Sequence, residues 1–206
     1  DGKTPIVSRN PTADFRAVSI TPEEADSIRE WVIAENASQT IEIGLAFGYS
    51  ALYNCERLLT NGDPNAKHVA IDPGQLPEKA YASCGLEILN KAGCSPIIEF
   101  YGDESQIILP QLLKQGREFD LAFIDGNHRF DYVFLDLYYL GRLIRKGGII
   151  ILDDYNLPGI KRAASFFIKN LKWKIEEIQT DNRHHWVVLR TSEKSDNRDY
   201  LYFVDF

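Results

Sequence analysis

The stretch Thr40-Ile41-Glu42-Ile43-Gly44-Leu45-Ala46-Phe47-Gly48-Tyr49-Ser50 constrains this chain more than any other. A β-branched apolar run stops at Gly44, and a helical pattern resumes after Gly48. Strand, tight turn and helix start together mark the place where α/β proteins hold nucleotide-like ligands. A dinucleotide site wants G-x-G-x-x-G, whose middle glycine lets a pyrophosphate approach the backbone. Here the middle position is Ala46, the spacing is G-x-x-x-G, and the carboxylate of Glu42 at the strand end would repel a pyrophosphate. The loop suits a ligand carrying positive charge. S-adenosylmethionine, with its ammonium and sulfonium, meets that requirement; a nicotinamide cofactor does not.

With 206 residues, one domain is expected, long enough to bury a substantial core. A net charge of −7 argues against general binding to nucleic acid or to anionic membrane. No apolar run reaches the length of a membrane span and no signal-peptide pattern opens the sequence. The chain has no methionine, so Asp1 is not expected to be the translation start. Cys55, Cys84 and Cys94 show no C-x-x-C spacing and read as reduced, buried thiols of a cytoplasmic protein.

Residues 1–20 read as a polar, proline-spaced arm. Thr21-Pro22-Glu23-Glu24 is a helix start, with threonine capping, proline at the first position and Glu24 placed to close a capping box. This leading helix is expected over 21–37. Strands are expected at 40–43, 68–72, 96–101, 120–124 and 149–152, with helices at 49–59, 78–92, 105–114 (despite Pro110), 130–144 (closed by Lys146-Gly147-Gly148) and 158–170. Trp173 to Ile178 and Trp186 to Leu189 read as an antiparallel pair around Asp181-Asn182-Arg183. The expected fold is α/β, a doubly wound, mostly parallel, Rossmann-like sheet ending in an antiparallel hairpin. Its core covers 40–190. An aromatic extension, 192–206, is left to add a strand, to pack on the body or to support a homodimer.

Ligands bind such sheets at the carboxyl ends of the strands. All five of the expected parallel strands deliver an acid there: Glu42, Asp72, Asp103, Asp125 and the pair Asp153-Asp154. Asp72 follows the glycine turn at the distance where a carboxylate can accept both hydroxyls of a ribose. Asp125, Asp153 and Asp154 fall on adjacent strands, and three close carboxylates call for a cation, with hard oxygens suiting Mg²⁺ or a similar divalent ion. His128 stands near the same rim and can act as general base or as metal ligand. His68 reads as structural, and His184 and His185 as solvent-facing. Tyr155 and Trp186 can line an aromatic pocket, although packing roles suit them better.

These residues resemble class I S-adenosylmethionine-dependent methyltransferases, above all the catechol O-methyltransferase type and its small bacterial relatives. The likeness runs from Thr40 to Gly159. It includes Glu42 to Ala51, Ser105-Gln106 with the segment after it, Phe123-Ile124-Asp125-Gly126-Asn127-His128, and Leu143 through Asp153-Asp154. The resemblance implies a seven-stranded sheet. It also implies cofactor contacts from Glu42, Gly44, Phe47, Gly48, Ser50, Asp72, Asp103, Ser105, Gln106 and Asp125. The chain departs from the catechol enzymes in two places. His128 stands where they have a lysine base, and Asp153-Asp154 stands where they have Asp-Asn.

The expected chemistry is methyl transfer from S-adenosylmethionine to a hydroxyl of a small molecule. His128 and Asp125 would be catalytic, with a divalent ion on Asp125, Asp153 and Asp154. A protein that binds S-adenosylmethionine without catalysis is the second reading, and it leaves His128 and the aspartates without a task. A nicotinamide oxidoreductase is the third.

Overall fold

A computed structural model describes residues 15–180 and 185–206. Seven strands form one sheet: β1 (Gln39–Ile43), β2 (Lys67–Ile71), β3 (Ile98–Tyr101), β4 (Phe119–Ile124), β5 (Ile144–Leu152), β6 (Lys174–Thr180) and β7 (His185–Arg190). Their order is β3-β2-β1-β4-β5-β7-β6. The first five pair in parallel, and β7 runs antiparallel to both β5 and β6. The chain reverses direction across the sheet between β1 and β4, which is where a doubly wound sheet opens its ligand crevice.

Alternation along the strands divides the core into two layers. Ile41, Ile43, Val69, Ile71, Ala122 and Ile124 face α5 (Ser105–Lys114), α6 (Phe130–Leu143) and α7 (Pro158–Leu171). Ala70, Leu121, Phe123, Ile149 and Ile151 face α2 (Pro22–Ala34), α3 (Tyr49–Asn61) and α4 (Cys84–Lys91). On this second face, Thr40, Glu42 and His68 are fully buried polar residues. His68 Nδ1 lies 2.8 Å from Thr40 Oγ1, and its Nε2 lies 3.5 Å from Glu42 Oε2.

Several boundaries differ from the sequence expectation. The leading helix ends at Ala34, because Asn36 turns left-handed at φ 47°. The helix expected over 78–92 shrinks to α4, because Ala82 and Ser83 both take positive φ and the chain before them wraps back to bond Tyr81 N to Gly74 O. The helix expected to run to residue 144 stops at Leu143, and Lys146-Gly147-Gly148 belongs to β5. The β4/β5 register shifts between Phe119 and Leu121 to absorb those residues. Arg145 fixes the irregularity through Asp120 and Glu35. Pro110 sits inside α5. Part of the expected arm, Phe15–Val18, is a short helix, α1. The rest of that arm, 1–14, lies outside the described residues, as do the expected hairpin turn and His184.

The aromatic extension adds no strand. It returns along α7, where Asn170 exchanges two 2.8 Å hydrogen bonds with the backbone of Val204, and the Phe206 ring meets Phe166 at 5.1 Å. Trp186 is core, donating its indole N–H to Glu177 at 3.1 Å. Among the described residues no helix is long and apolar enough to cross a membrane.

Asp136 on α6 is buried beside the Ser105 hydroxyl at the start of α5, and one of its carboxylate oxygens has no partner. Burial pushes its pKa from 3.8 to about 7, against the opposing bond from Ser105. Folding thus raises this pKa, so the folded state holds the proton more tightly than the unfolded chain. Stability falls as pH rises from about 4 through about 7. Asp136→Asn is expected to stabilise the protein by on the order of 2 kcal/mol at about pH 8 and by little at about pH 4, as read from denaturant unfolding at both values.

Candidate active site

The backbone ladders run one residue beyond the strands and set the rim. Gly44 N bonds Ile71 O at 2.9 Å, Asp72 N bonds Tyr101 O at 3.1 Å, Asp125 N bonds Ile43 O at 2.9 Å and Asp153 N bonds Ile124 O at 3.1 Å. Each residue that begins a rim loop is therefore held by the strand next door. Gly44 has φ +92°, and a Cβ there would stand 2.0 Å from the carbonyl oxygen of Asp125. Only a bare backbone in the left-handed region permits that approach.

Asp72 fastens the loop that follows. Its Oδ2 accepts from Leu45 N, Ala46 N and the Gln75 amide, and its Oδ1 accepts from Gly74 N at 2.7 Å. Gln75 also donates to Ala46 O at 2.6 Å and accepts from Gly85 N at 3.0 Å, joining loop, β2 end and α4. Nothing in the sequence marks Gln75. Glu42 lies under the loop rather than on it, accepting from Ser50 Oγ at 3.1 Å and buried against His68. Phe47 is buried between the rings of Phe15 and Tyr81, 5.7 and 5.2 Å away. Gly48 caps α3 at φ +78°. Residues 18–20 lie across the loop, leaving a cavity of about 10 Å³ bounded by Gly44 to Phe47, Tyr49, Ser50 and Asp125.

The adenine-side residues are less concentrated. Asp103 is exposed and accepts from Glu104 N, the Gln106 amide bonds Glu104, and Ser105 turns to Asp136.

On the acceptor side, His128 stands between two aspartates. Its Nε2 lies 3.3 Å from Asp125 Oδ1 and its Nδ1 lies 3.0 Å from Asp154 Oδ2. The bond to Asp125, together with the charges of Asp154, Asp125 and Asp153, raises its pKa above the ordinary histidine value, against partial burial. Asp125 is itself pushed up by burial, offset by His128. Asp154 sits at φ +52°, a region aspartate tolerates better than most residues. Ligand atoms of Asp125, His128 and Asp154 lie within 4.8 Å of one another, as a cation site requires.

Asp153 lies outside that grouping. It is buried, accepts from Asp154 N at 2.6 Å and faces Glu24 on α2. Burial and the Asp125 charge push its pKa to about 7. Glu24 is the residue the sequence concealed. Its backbone N–H does bond Thr21 Oγ1 at 3.2 Å, but its side chain does not return to the cap. It is fully buried and turned toward Asp153, with burial and the aspartates pushing its pKa to about 10. Asp125, Asp154 and His128, all partly exposed, are a donor set that fits a divalent cation, with Asp153 buried beside them. The acid-rich rim and the bare backbone at Gly44 fit a positively charged cofactor.

Gly44→Ala is expected to cost at least about 2 kcal/mol of stability in denaturant unfolding and to abolish S-adenosylmethionine binding in calorimetry, because the loop must leave Asp125 to make room.

A family model described as a methyltransferase domain matches residues 41–155. Tapetum-specific methyltransferase 1 of Arabidopsis thaliana is 37% identical over 120 residues, covering 58% of this chain and 47% of that protein. Caffeoyl-CoA O-methyltransferase of Stellaria longipes is 32% identical over 119 residues, covering 56% and 45%. The chain thus spans about half the length of the curated relatives it matches. The solved structure of an O-methyltransferase from Bacillus cereus in complex with SAH superposes with a TM-score of 0.71 at 16% identity, over 85% of this chain and 84% of that one. The fold is therefore shared with solved methyltransferases, and the chain belongs to the methyltransferase-domain family, in its class I S-adenosylmethionine-dependent branch.

Proposed function

We propose that the chain is an S-adenosylmethionine-dependent O-methyltransferase acting on a hydroxyl of a small molecule, assisted by a divalent cation. The observation that carries this reading is His128, held between Asp125 and Asp154 on the loop that Gly44 touches. The names of the plant and bacterial relatives, which are O-methyltransferases, support the choice of oxygen as acceptor atom.

In this mechanism S-adenosylmethionine supplies a methyl group on a sulfonium. The acceptor oxygen forms the new C–O bond as the C–S bond breaks, and the electron pair of that bond neutralises the sulfur. The Gly44 to Gly48 loop, held by Asp72 and Gln75, orients the cofactor, and Asp125 offers its carboxylate on the side where positive charge is lost. Much of the rate then comes from alignment and from charges already in place. His128 takes the hydroxyl proton, and Asp125 and Asp154 stabilise the imidazolium that results. Asp125 and Asp154 would hold the cation, with Asp153, which lies outside their grouping, joining only by turning from Glu24; the cation would acidify the hydroxyl and fix its direction. His128 is near enough to Asp125 and Asp154 to be a cation ligand instead, a role that would exclude it as the base.

The test is to incubate the protein with S-adenosylmethionine and a panel of phenolic and catecholic acceptors, and to follow the demethylated cofactor product by mass spectrometry. His128→Ala is expected to slow turnover by about 100-fold or more. Turnover in that variant equal to the parent's would remove His128 from the mechanism. Full activity after chelation would remove the cation. Because the base must be neutral, kcat/KM should rise with pH through a value above that of free histidine. In Asp154→Asn the same limb should move to lower pH, since one of the charges that holds the proton is gone.

A further inference from the structure

A second charged region lies at the opposite end of the sheet from the rim, around the amino end of β5. A groove of about 780 Å³ opens there between the carboxyl ends of α6 and α7 and the extension at 192–198. Ile144, Leu171 and Trp173 give it an apolar lining, with the Trp173 ring seated over Gly141, where a Cβ would meet it at 2.6 Å. Six cationic side chains face the same groove, Arg142, Lys146, Lys172, Lys174, Lys194 and Arg198, against the three acids Glu118, Glu193 and Asp196. Arg190, also at the groove, is already engaged by Glu35 and Glu176. Among the described residues only Arg198 of the six is ion-paired, with Asp196 at 2.7 Å. Arg142 donates to Tyr138 O at 2.6 Å and Lys172 to Lys169 O at 2.8 Å, which fixes both at the ends of their helices. Lys146 Nζ donates to Ser195 Oγ at 2.9 Å. None of these three partners carries charge, and the ammonium groups of Lys174 and Lys194 have no partner among the described residues. In a chain of net charge −7 the groove is a local reversal of sign. Its effect is felt at Asp196, whose pKa is lowered to about 2, first by the bond from Arg198 and further by the charge of Arg142.

We infer that this groove binds a small molecule carrying two or more phosphate groups. The five cations without an ion pair stand on five separate segments, α6, β5, the end of α7, β6 and the extension, so an anion charged at a single point could meet few of them. Cavities of about 300–1,000 Å³ are the size that small molecules fill. Arginine forks and lysine ammonium groups are what holds phosphate oxygens. The long backbone of a nucleic acid would run beyond the groove and meet a chain of the same sign. The inference stands apart from methyl transfer and from the cation at the rim. It carries a consequence for the extension. Lys194 and Arg198 lie on that segment and Arg142 and Lys146 on the body, so an anion between them fastens 192–198 to α6 and β5.

The experiment titrates inorganic tripolyphosphate and orthophosphate into the full chain by calorimetry, with and without S-adenosylmethionine, and compares the parent with Lys146→Glu, Lys174→Glu and Lys194→Glu. These three side chains are exposed, so the fold should survive their exchange; circular dichroism checks this. The expected result is one tripolyphosphate per chain, bound at least about tenfold more tightly than orthophosphate, whether or not S-adenosylmethionine is present. Each of the three changes should weaken tripolyphosphate by about tenfold or more, and added salt should weaken it in the parent. Amide exchange across 192–198 should slow on adding tripolyphosphate to the parent and stay unchanged in Lys194→Glu. A parent that binds no tripolyphosphate at about 1 mM would overturn the inference. So would binding that all three folded variants retain, or that S-adenosylmethionine displaces, since either puts the anion elsewhere. Tighter binding of a DNA or RNA duplex than of tripolyphosphate, lost in the same variants, would replace the small molecule by a nucleic acid and overturn it as well.

Discussion

Everything at the rim depends on how closely two backbones pass. Gly44 lies so near the carbonyl of Asp125 that no side chain could stand between them. That contact joins the Gly44 to Gly48 loop and the loop carrying His128, with the β1/β4 crevice beneath. The ladder bonds from Gly44 to Ile71 and from Asp125 to Ile43 hold both sides in place. In the proposed mechanism a methyl group held by the first loop would be presented to the second without a hinge between them, the kind of alignment that lowers a transfer barrier.

Most of this arrangement was legible because it is written in local patterns. The apolar run with its two glycines, the acids after each parallel strand and the final pair of strand-like runs specify a doubly wound sheet with a chemical rim. What was not legible came from contacts distant in sequence. Glu24 has the spacing of a capping residue, and only the packing of α2 against β5 turns it inward. Gln75 becomes a joint between three elements because Gly85 and Ala46 approach it from elsewhere in the chain. Ala82 and Ser83 carry no turn signal, yet they cut short a periodic helix pattern, since the wrap of Tyr81 over Gly74 needs left-handed backbone there.

Charge is unevenly placed across this body. The base of α2 and the start of β5 are sewn together by Arg145, Arg190, Glu35 and Asp120, a network in which each carboxylate has a cation. The opposite pole holds Asp125 and Asp154 on either side of His128, with Asp153 facing Glu24 nearby. One end supplies stability from paired charges, and at the other, burial and mutual repulsion push the carboxyls toward their protonated forms. In the proposed mechanism a cationic cofactor and a metal ion would both act on these carboxyls, so that ligand binding and the firmness of the fold would be linked.

Two residues past Asp153, the backbone N–H of Tyr155 bonds the carbonyl of His185 at 2.6 Å, at the first position of β7. By that bond the antiparallel hairpin reaches the acceptor side of the rim, while the cofactor loop lies on the other side of β4. In the proposed mechanism, exchanges in these strands would reshape which molecule is presented to His128 and leave the Gly44 to Gly48 loop as it is. The donor half of the proposed reaction is thus fixed by glycine geometry, and its acceptor half by the pairing that β5 and β7 share.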